Sequence, residues 1–212
     1  MIQLSYSTVN MLHTASHNWL NKQMGLRPED KWYFKEGKVA HKILQEHISG
    51  TKRHMLLSTF KDFDNLIYPI VEKVDFDPDC KLEKRLDTVY NLIGFVDART
   101  EDWKKILEIK TSSKTWSLLD FKHSMQRKVY CYAHPEIEVA TLITCPRKQE
   151  EWNENNVKIF IVPTSKKDAE EAKEWIDQGI KIIESGDFTG GLNENGVCVD
   201  PYCYYGVNCQ FK

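Results

Sequence analysis

Two short apolar segments in the middle of the chain, separated by a polar turn, most constrain how it can fold. They are residues 94–97 (Gly-Phe-Val-Asp) and residues 106–110 (Ile-Leu-Glu-Ile-Lys). Side chains of a strand alternate between its faces, so Glu108 and Lys110 share one face. A hairpin through the polar turn would bring that face beside Asp97. The sequence therefore predicts two carboxylates and an ammonium group that converge at one sheet.

Such a cluster predicts a metal site. Neighbouring buried carboxylates repel each other, and a divalent cation is the usual way to relieve the repulsion. The Glu-x-Lys pattern itself occurs four times, at residues 29–31, 36–38, 108–110 and 171–173. Only residues 108–110 lie in a β-branched, apolar stretch that follows a Gly-x-x-Asp segment. The polar or helical surroundings of the other three favour solvated charge pairs.

Length and composition narrow the class of protein. The 212 residues suffice for one domain with a sizeable core, which we divide into an N-terminal helical part (1–75), a catalytic core (80–165) and a C-terminal helix with a Cys-rich tail (166–212). The chain has no apolar run as long as a membrane span and no signal-peptide pattern at its start. We therefore expect a cytoplasmic, reducing location, where cysteines are thiols or metal ligands rather than disulfides.

The charge distribution is uneven although the net charge is only −2. Between Lys81 and Tyr130 there are eleven basic and seven acidic residues, and three of the acidic ones are candidates for the site. A basic rim around an acidic, metal-binding centre suits a phosphodiester substrate. Charge alone does not separate this interpretation from a solvated mixed surface.

The periodicity of the sequence predicts alternating helices and strands. Helices are predicted at residues 7–22, 32–48, 117–134 and 166–185, with a partial helix over 54–72, and strands at 82–90, 92–98, 105–111, 138–145 and 157–162. Ser7 is the expected N-cap of the first helix, and Gly186 the expected end of the last. This order predicts an α/β/α sandwich around a mixed central sheet, followed by an irregular tail that contains cysteines.

Two helical pairs add candidate functional groups. Gly37 and His41 are four residues apart, as are Gln126 and Tyr130, so each pair shares a helix face. An imidazole can complete a metal site, and a glycine one turn away permits close approach of another segment. An amide and a phenol can bond a phosphate, a base edge or main chain. In isolation, both pairs also suit ordinary packed or surface positions.

The order of these features along the chain is informative. Four motifs follow one another: Gly37-x-x-x-His41, Gly94-x-x-Asp97, Glu108-x-Lys110 and Gln126-x-x-x-Tyr130. The set resembles the PD-(D/E)XK nuclease superfamily, specifically its RecB-like branch, which includes nuclease domains of recombination helicase-nucleases and CRISPR-associated exonucleases. The resemblance spans residues 5–209 and implies a restriction-endonuclease-like α/β/α core. Glu83 and Trp19 also lie where members of that branch carry an acid and an aromatic residue.

The resemblance implies a metal-dependent DNA exonuclease or DNA-end-processing nuclease. The implied ligands of Mg²⁺ or Mn²⁺ are His41, Asp97, Glu108 and the main-chain carbonyl of Ile109. Lys110 would position or deprotonate the attacking water. Gln126 and Tyr130 would support the site and contact DNA.

The resemblance also leads to expectations about the substrate and the partners. Single-stranded DNA or a free end is favoured because Trp116 and Tyr130 could stack on bases, although core packing explains these aromatic residues equally well. A role in recombination, repair or replication, a helicase or recombination partner, and a homo-oligomer that encloses DNA are all compatible with the resemblance. Two alternatives stay open: a structure-specific endonuclease on the same fold, and a nuclease-like module that binds DNA or a partner without cutting.

The cysteines depart from the family pattern. Several RecB-like nucleases hold a [4Fe–4S] cluster with one N-terminal cysteine and three near the C-terminus. Here Cys198, Cys203 and Cys209 stand in the C-terminal positions, but Ala15 stands at the N-terminal one. Three thiolates do not complete such a cluster, which favours the absence of an intact [4Fe–4S] cluster.

A histidine could replace the missing thiolate. His13 and His17 flank Ala15, and either could be a fourth ligand for an iron–sulfur cluster or for zinc. Alternatively, the trio is the remnant of a lost site. The remaining cysteines are expected to be structural thiols: Cys80, Cys131 and Cys145.

Overall fold

The central element of the fold is a mixed β-sheet. The computed structural model describes residues 1–27, 32–48, 77–112, 116–199, 205 and 208–211. Its strands are β1 (Ile2–Leu4), β2 (Asp77–Arg85), β3 (Tyr90–Arg99), β4 (Lys105–Thr111), β5 (Val139–Cys145) and β6 (Lys158–Pro163). Within these residues the six strands form one sheet in the order β1-β3-β4-β5-β6, and β2 also pairs with β3.

The pairing of β3 leaves part of one strand edge open. Along one edge β3 pairs antiparallel with β2. On the opposite edge, residues 90–92 pair in parallel with β1, whereas only Ala98 and Arg99 pair antiparallel with β4. Neither β1 nor β4 pairs with residues 93–97 on that edge. The strands therefore separate next to Asp97.

Helices cover both faces of the sheet. They are α1 (Tyr6–Ala15), α2 (His17–Gln23), α3 (Trp32–Ile48), α4 (Leu118–Lys122), α5 (Met125–Ala133) and α6 (Lys166–Ser185). On one face, Leu44 of α3 packs in a cluster with Leu107 and Ile143. On the other, α4 and α5 contribute to a second cluster that includes Ile106 and Leu142. The predicted α/β/α sandwich with a mixed central sheet is confirmed.

Helix α6 packs across α1 and α5 and fixes their positions. A side chain at Gly179 would lie 2.8 Å from Val9, so the small residue permits close packing of α6 on α1. The buried guanidinium of Arg127 donates to Asp168 Oδ1 at 2.6 Å, which ties α5 to the first turn of α6. Gly186 ends α6 in a left-handed conformation with φ of 69°, as predicted.

Two predicted helices are each divided in the structure. The predicted helix 7–22 is α1 and α2, which meet at Ser16, and its N-cap is Ser5 rather than Ser7, because the Ser5 hydroxyl accepts a hydrogen bond from Thr8 N. The predicted helix 117–134 is α4 and α5, since Ser124 caps a new helix. Serine favours such caps by accepting a main-chain N–H with its side chain.

Several strand boundaries also differ from the prediction. Strand β2 ends at Arg85 rather than at residue 90, because the Asp87 carboxylate accepts hydrogen bonds from Val89 N and Tyr90 N and stabilises a turn. The short strand β1 was not predicted. The partial helix expected over 54–72 lies outside the described residues. In the part of the chain that the structure describes, no helix is both long and apolar enough to cross a membrane.

Candidate active site

Strand β4 presents an ion pair, formed by a buried glutamate and a half-buried lysine, toward α5. Alternation along the strand places Glu108 and Lys110 on the same face, as predicted. Glu108 is only 7% exposed, and Lys110 Nζ contacts its Oε1 atom. Lys110 Nζ also donates to Gln126 Oε1 at 2.7 Å. The ammonium group is therefore held between a strand carboxylate and a helix amide.

Gln126 and Tyr130 orient the Glu108 carboxylate from α5. Gln126 Nε2 donates to Glu108 Oε1 at 2.8 Å and also to the Tyr130 hydroxyl. The hydroxyl oxygen of Tyr130 lies 3.2 Å from Glu108 Oε2 and 2.9 Å from the main-chain oxygen of Phe95. The structure thus brings the Glu-x-Lys and Gln-x-x-x-Tyr motifs into one hydrogen-bonded network.

Asp97 is held from the opposite side by α3 and β4. His41 Nε2 lies 3.0 Å from Asp97 Oδ1, and Ile109 N donates to Asp97 Oδ2 at 2.6 Å. Gln45 Nε2 donates to the main-chain oxygen of Asp97 at 3.1 Å. Because the β3–β4 ladder covers only Ala98 and Arg99, the Asp97 carboxylate accepts the Ile109 N–H where the two strands separate.

Burial and mutual interaction shift the pKa values of these groups. Burial raises the pKa of Glu108, and the Lys110 ammonium opposes that shift without cancelling it. Burial also works against the charge of Lys110, but the Glu108 carboxylate outweighs it and raises the pKa of the lysine. Burial lowers the pKa of His41, but the hydrogen bond and charge of Asp97, together with the charge of Glu108, outweigh burial and raise that pKa. The carboxylates thus hold the pKa values of Lys110 and His41 above their ordinary values.

The three side chains that were predicted to bind metal form two separate hydrogen-bonded groups. His41 pairs with Asp97, whereas Glu108 pairs with Lys110 and Gln126. Asp97 is still near enough for its charge to raise the pKa of Glu108. Among the described residues, the ligand atoms of these three side chains do not all lie within 4.8 Å of one another, although those of His41 and Asp97 are 3.0 Å apart. The carboxylates satisfy their charges with protein donors.

A groove of about 400 Å³ adjoins this network at the open edge of β3. Its lining side chains and main chain come from Gln3, Leu4, Ser5, Tyr6, Ser7, Thr8, Lys22, Ile93, Gly94, Phe95, Gln126, Val129 and Tyr130. The Phe95 side chain is 63% exposed, and Tyr6 is near enough to Lys110 and Glu108 to interact with their charges. Sequence reasoning did not assign Tyr6 and Phe95 to the site. The signal available in the sequence was an aromatic residue, Phe95, within the Gly-x-x-Asp segment.

Two further residues that the sequence analysis named have different environments. Glu83 is exposed and bonds to Lys81 and Asn91, away from the Glu108 network. Trp116 is half-buried, packs beside the Phe121 cluster and lines a small cavity together with Glu108 and Lys110.

Gly37 permits the end of β4 to pack closely against α3, as was expected of a glycine at this position. A Cβ atom at that position would lie 3.1 Å from Thr111 Oγ1, and this hydroxyl donates to the Gly37 carbonyl at 3.3 Å. The contact joins α3 to the end of β4, so that His41, one turn further along α3, is held near the strand that carries Glu108 and Lys110.

The C-terminal cysteines approach one of the two candidate histidines. Cys198, Cys209 and His17 are buried together, whereas His13 Nε2 is engaged 2.8 Å from the carbonyl oxygen of Trp175. Cys203 lies outside the described residues. Cys131 and Cys145 are buried, and burial raises the pKa of each thiol to about 12, so both stay protonated as expected of structural thiols. Cys80 is half-buried.

Solved structures of other proteins share this fold. SSO0001 matches with a TM-score of 0.52 and 15% identity, over 94% of this chain and 86% of its own. LHK-Exo, an alkaline exonuclease from Laribacter hongkongensis, was solved in complex with dAMP and matches with a TM-score of 0.54 and 10% identity, over 86% and 88% of the two chains. An exonuclease candidate from Eubacterium rectale matches with a TM-score of 0.52 and 11% identity, over 87% and 82%.

These similarities establish the fold class. The chain shares its fold with these exonuclease structures, which is consistent with the PD-(D/E)XK-like fold that its motifs predicted. No protein-family model and no curated protein matches the sequence.

Proposed function

We propose that this protein is a divalent-metal-dependent DNA exonuclease or DNA-end-processing nuclease that hydrolyses phosphodiester bonds. One observation carries the proposal: the pair of buried Glu108 and half-buried Lys110 lies on the strand next to Asp97, with Gln126 and Tyr130 behind it, beside an open groove. The fold shared with exonucleases supports it.

The donor set suits Mg²⁺ or Mn²⁺. Asp97 and Glu108 offer hard carboxylate oxygens, and His41 offers an imidazole nitrogen on the side of Asp97 that faces α3. The burial that raises the pKa of Glu108, reinforced by the charge of Asp97, marks a position where additional positive charge is favourable. These three residues would hold the ion, with the Ile109 carbonyl as a further ligand. When bound, it would supply positive charge beside the scissile phosphate.

Lys110 acts mainly as a positioned cation. Because its pKa is raised by Glu108, the amine stays protonated at neutral pH and is a poor base in the free protein. Its N–H groups can hold the attacking water and stabilise negative charge that develops on the phosphate. Gln126 and Tyr130 keep the pair in place, since their hydrogen bonds fix both oxygens of Glu108.

The groove suits a single strand or a frayed end. Phe95 and Tyr6 present aromatic surface on which bases can stack, while Ser5, Ser7 and Lys22 offer donors to the phosphate backbone. A strand in this groove would pass the Glu108–Lys110 pair, because Gln126 contributes to both. A role in recombination, repair or replication, a helicase or recombination partner, and an intracellular location belong to the same proposal.

Digestion of end-labelled DNA tests this function. Wild-type protein, Lys110→Ala and Lys173→Ala are incubated with single- and double-stranded substrates, with and without Mn²⁺. Lys173 is the matched control because it belongs to an exposed Glu-x-Lys pair on α6 and bonds only at the surface. We expect metal-dependent loss of label with the wild type and Lys173→Ala, and none with Lys110→Ala.

Two other outcomes would replace this proposal. Internal cutting of circular or branched DNA, with linear ends left intact, would indicate a structure-specific endonuclease. Intact DNA with every variant, despite DNA binding by the folded wild type, would indicate a module that binds without cutting.

A further inference from the structure

A second cluster of ligand atoms lies at the junction of α2 and the C-terminal tail, apart from the strand network. His17, Cys198 and Cys209 are 0%, 9% and 6% exposed, respectively. Each offers one ligand atom, and these three atoms all lie within 4.8 Å of one another. In the described residues this is the one trio of histidine, cysteine or acidic side chains that meets that distance.

The His17 ring is oriented as metal-ligating histidines usually are. Its Nδ1 atom lies 2.8 Å from the carbonyl oxygen of Gly190, so Nδ1 carries the proton and Nε2 has a free lone pair. Nε2 is completely buried and has no hydrogen-bond partner among the described residues. A buried acceptor without a partner costs free energy. A cation beside the two cysteines would satisfy it.

The surroundings fix this arrangement. Asn21 Nδ2 lies 3.3 Å from Cys209 Sγ, and an N–H donor to sulfur stabilises a thiolate ligand. The Phe211 ring packs edge-to-face against His17 with 5.5 Å between ring centroids. Gly191 has a φ of 81°, and a side chain there would lie 3.0 Å from the His17 ring. The tail therefore closes tightly over the imidazole.

From this geometry we propose that His17, Cys198 and Cys209 bind a single Zn²⁺ ion, with the fourth ligand from outside this trio. Zn–S and Zn–N bonds of about 2.3 and 2.0 Å place ligand atoms of a tetrahedral site about 3.5–4 Å apart, which the trio can reach with small adjustments. Two thiolates and an imidazole are also a donor set that zinc prefers.

The [4Fe–4S] cluster of the RecB-like branch does not fit this trio. The cysteines of such a cluster bind different irons, so their sulfur atoms stand farther apart than ligands that share one ion. Ala15 replaces the N-terminal cysteine, and His17 enters from the beginning of the next helix. The site is mononuclear and structural, and it joins α2 to a tail more than 180 residues away in sequence.

Metal content and cobalt spectroscopy test this proposal without reference to nuclease activity. Full-length protein is purified anaerobically from cultures supplemented with zinc and iron, and its metals are counted. We expect about one zinc per chain and no acid-labile sulfide. Cobalt(II) added to metal-free, reduced wild type should give thiolate-to-cobalt charge-transfer absorption and the d–d bands of a tetrahedral site.

Variants assign the ligands. Cys209→Ser and His17→Ala should lose the zinc, whereas Cys145→Ala, a buried thiol in β5, and His13→Gln should keep it. Four irons with acid-labile sulfide would overturn the proposal, as would folded wild type that binds neither zinc nor cobalt. Zinc retained by a folded Cys209→Ser variant would also overturn it. Because the cobalt experiment uses the wild type, it decides the question even if a ligand variant does not fold.

Discussion

The strand network around Glu108 and the tail cluster around His17 both gather potential metal ligands, but they balance them differently. In the strand network, Glu108 is paired with Lys110, and Asp97 with His41. In the tail cluster, the Nε2 atom of His17 is buried with no partner among the described residues. The first arrangement satisfies its charges with protein groups, whereas the second leaves a buried imidazole nitrogen without a hydrogen bond in the described part of the chain.

Under the two proposals, this difference would separate catalytic from structural metal binding. A site that folds around its own ion pairs can bind and release an ion during turnover, because Lys110 and His41 compensate the carboxylates when the ion leaves. A site of buried thiols and an unpartnered imidazole depends on the ion for its stability. We therefore expect nuclease activity to need added Mg²⁺ or Mn²⁺, and the tail to need zinc.

The largest effect is expected from Asp168→Asn, which breaks the anchor of the helix that carries Gln126 and Tyr130. It leaves the buried guanidinium of Arg127 without its partner, and loss of one member of a buried ion pair costs about 3–5 kcal/mol in the free energy of unfolding. Chemical denaturation measures this. Asp177→Asn, in an exposed pair, should change stability by less than about 1 kcal/mol.

The Asp168 carboxylate should also make the free energy of unfolding depend on pH. Burial opposes ionisation of Asp168, but the hydrogen bonds and charge of Arg127, together with the hydrogen bonds from Ser165, outweigh burial and hold the pKa of Asp168 below its ordinary value. Its stabilising contribution is therefore present above the ordinary carboxyl pKa of about 4 and is lost as the pH falls through the lower, folded-state value. The stability gap between wild type and Asp168→Asn should narrow on acidification, and a constant gap down to pH 2 would contradict this.

Glu108→Gln should damage the strand network alone. Removing this charge should lower the rate of DNA cleavage by about 10²- to 10³-fold, while zinc content stays unchanged. Initial rates on labelled single-stranded DNA measure the loss. Glu138→Gln, an exposed carboxylate paired with Lys104, serves as the control and should cleave normally. Equal rates for Glu108→Gln and wild type would remove Glu108 from the site.

Phe95→Ala tests the groove rather than the charged centre. Loss of one stacking surface should weaken binding of single-stranded DNA by about 1–3 kcal/mol. Fluorescence anisotropy with Ca²⁺ in place of Mn²⁺ measures affinity without cutting. Leu119→Ala removes a similarly exposed apolar side chain elsewhere and should bind like the wild type. If both variants bind equally well, the strand does not follow this groove.

The smallest effect is expected in the tail cluster around His17. Asn21→Leu removes the N–H donor to Cys209 but leaves all three ligands in place, and loss of such an outer contact should weaken zinc binding about tenfold. Competition with a chromophoric chelator measures the affinity. DNA cleavage by the zinc-loaded variant should be unchanged. Unaltered zinc affinity would show that Asn21 does not support the site.

The local part of this architecture could be predicted from sequence. The β3–β4 hairpin and the shared face of Glu108 and Lys110 follow from strand alternation, and the end of α6 follows from Gly186. Periodicity did not predict the breaks at Ser16 and Ser124. The Ser124 side chain caps the new helix, whereas the Ser16 side chain makes no cap and instead accepts a hydrogen bond from Gly190 N, far along the chain.

Features that depend on contacts between distant parts of the chain could not be predicted from the sequence. The pairing of β1 with residues 90–92 depends on a contact far along the chain, and so does the groove that this pairing leaves beside Phe95. The choice of His17 over His13 depends on which imidazole faces the tail. No local pattern contains that information, since both histidines lie two residues from Ala15 in sequence.

One measurement tests the distinction between the two regions most directly. Wild-type protein is dialysed without chelator, and DNA cleavage, zinc content and melting temperature are measured in the same sample before and after Mn²⁺ is added. We expect the dialysed protein to keep its zinc and its melting temperature but to cut no DNA, and Mn²⁺ to restore cleavage in the wild type and not in Lys110→Ala. Cleavage without added Mg²⁺ or Mn²⁺, or no cleavage by folded wild type with Mn²⁺, would contradict a metal-dependent nuclease centre at Glu108 and Lys110.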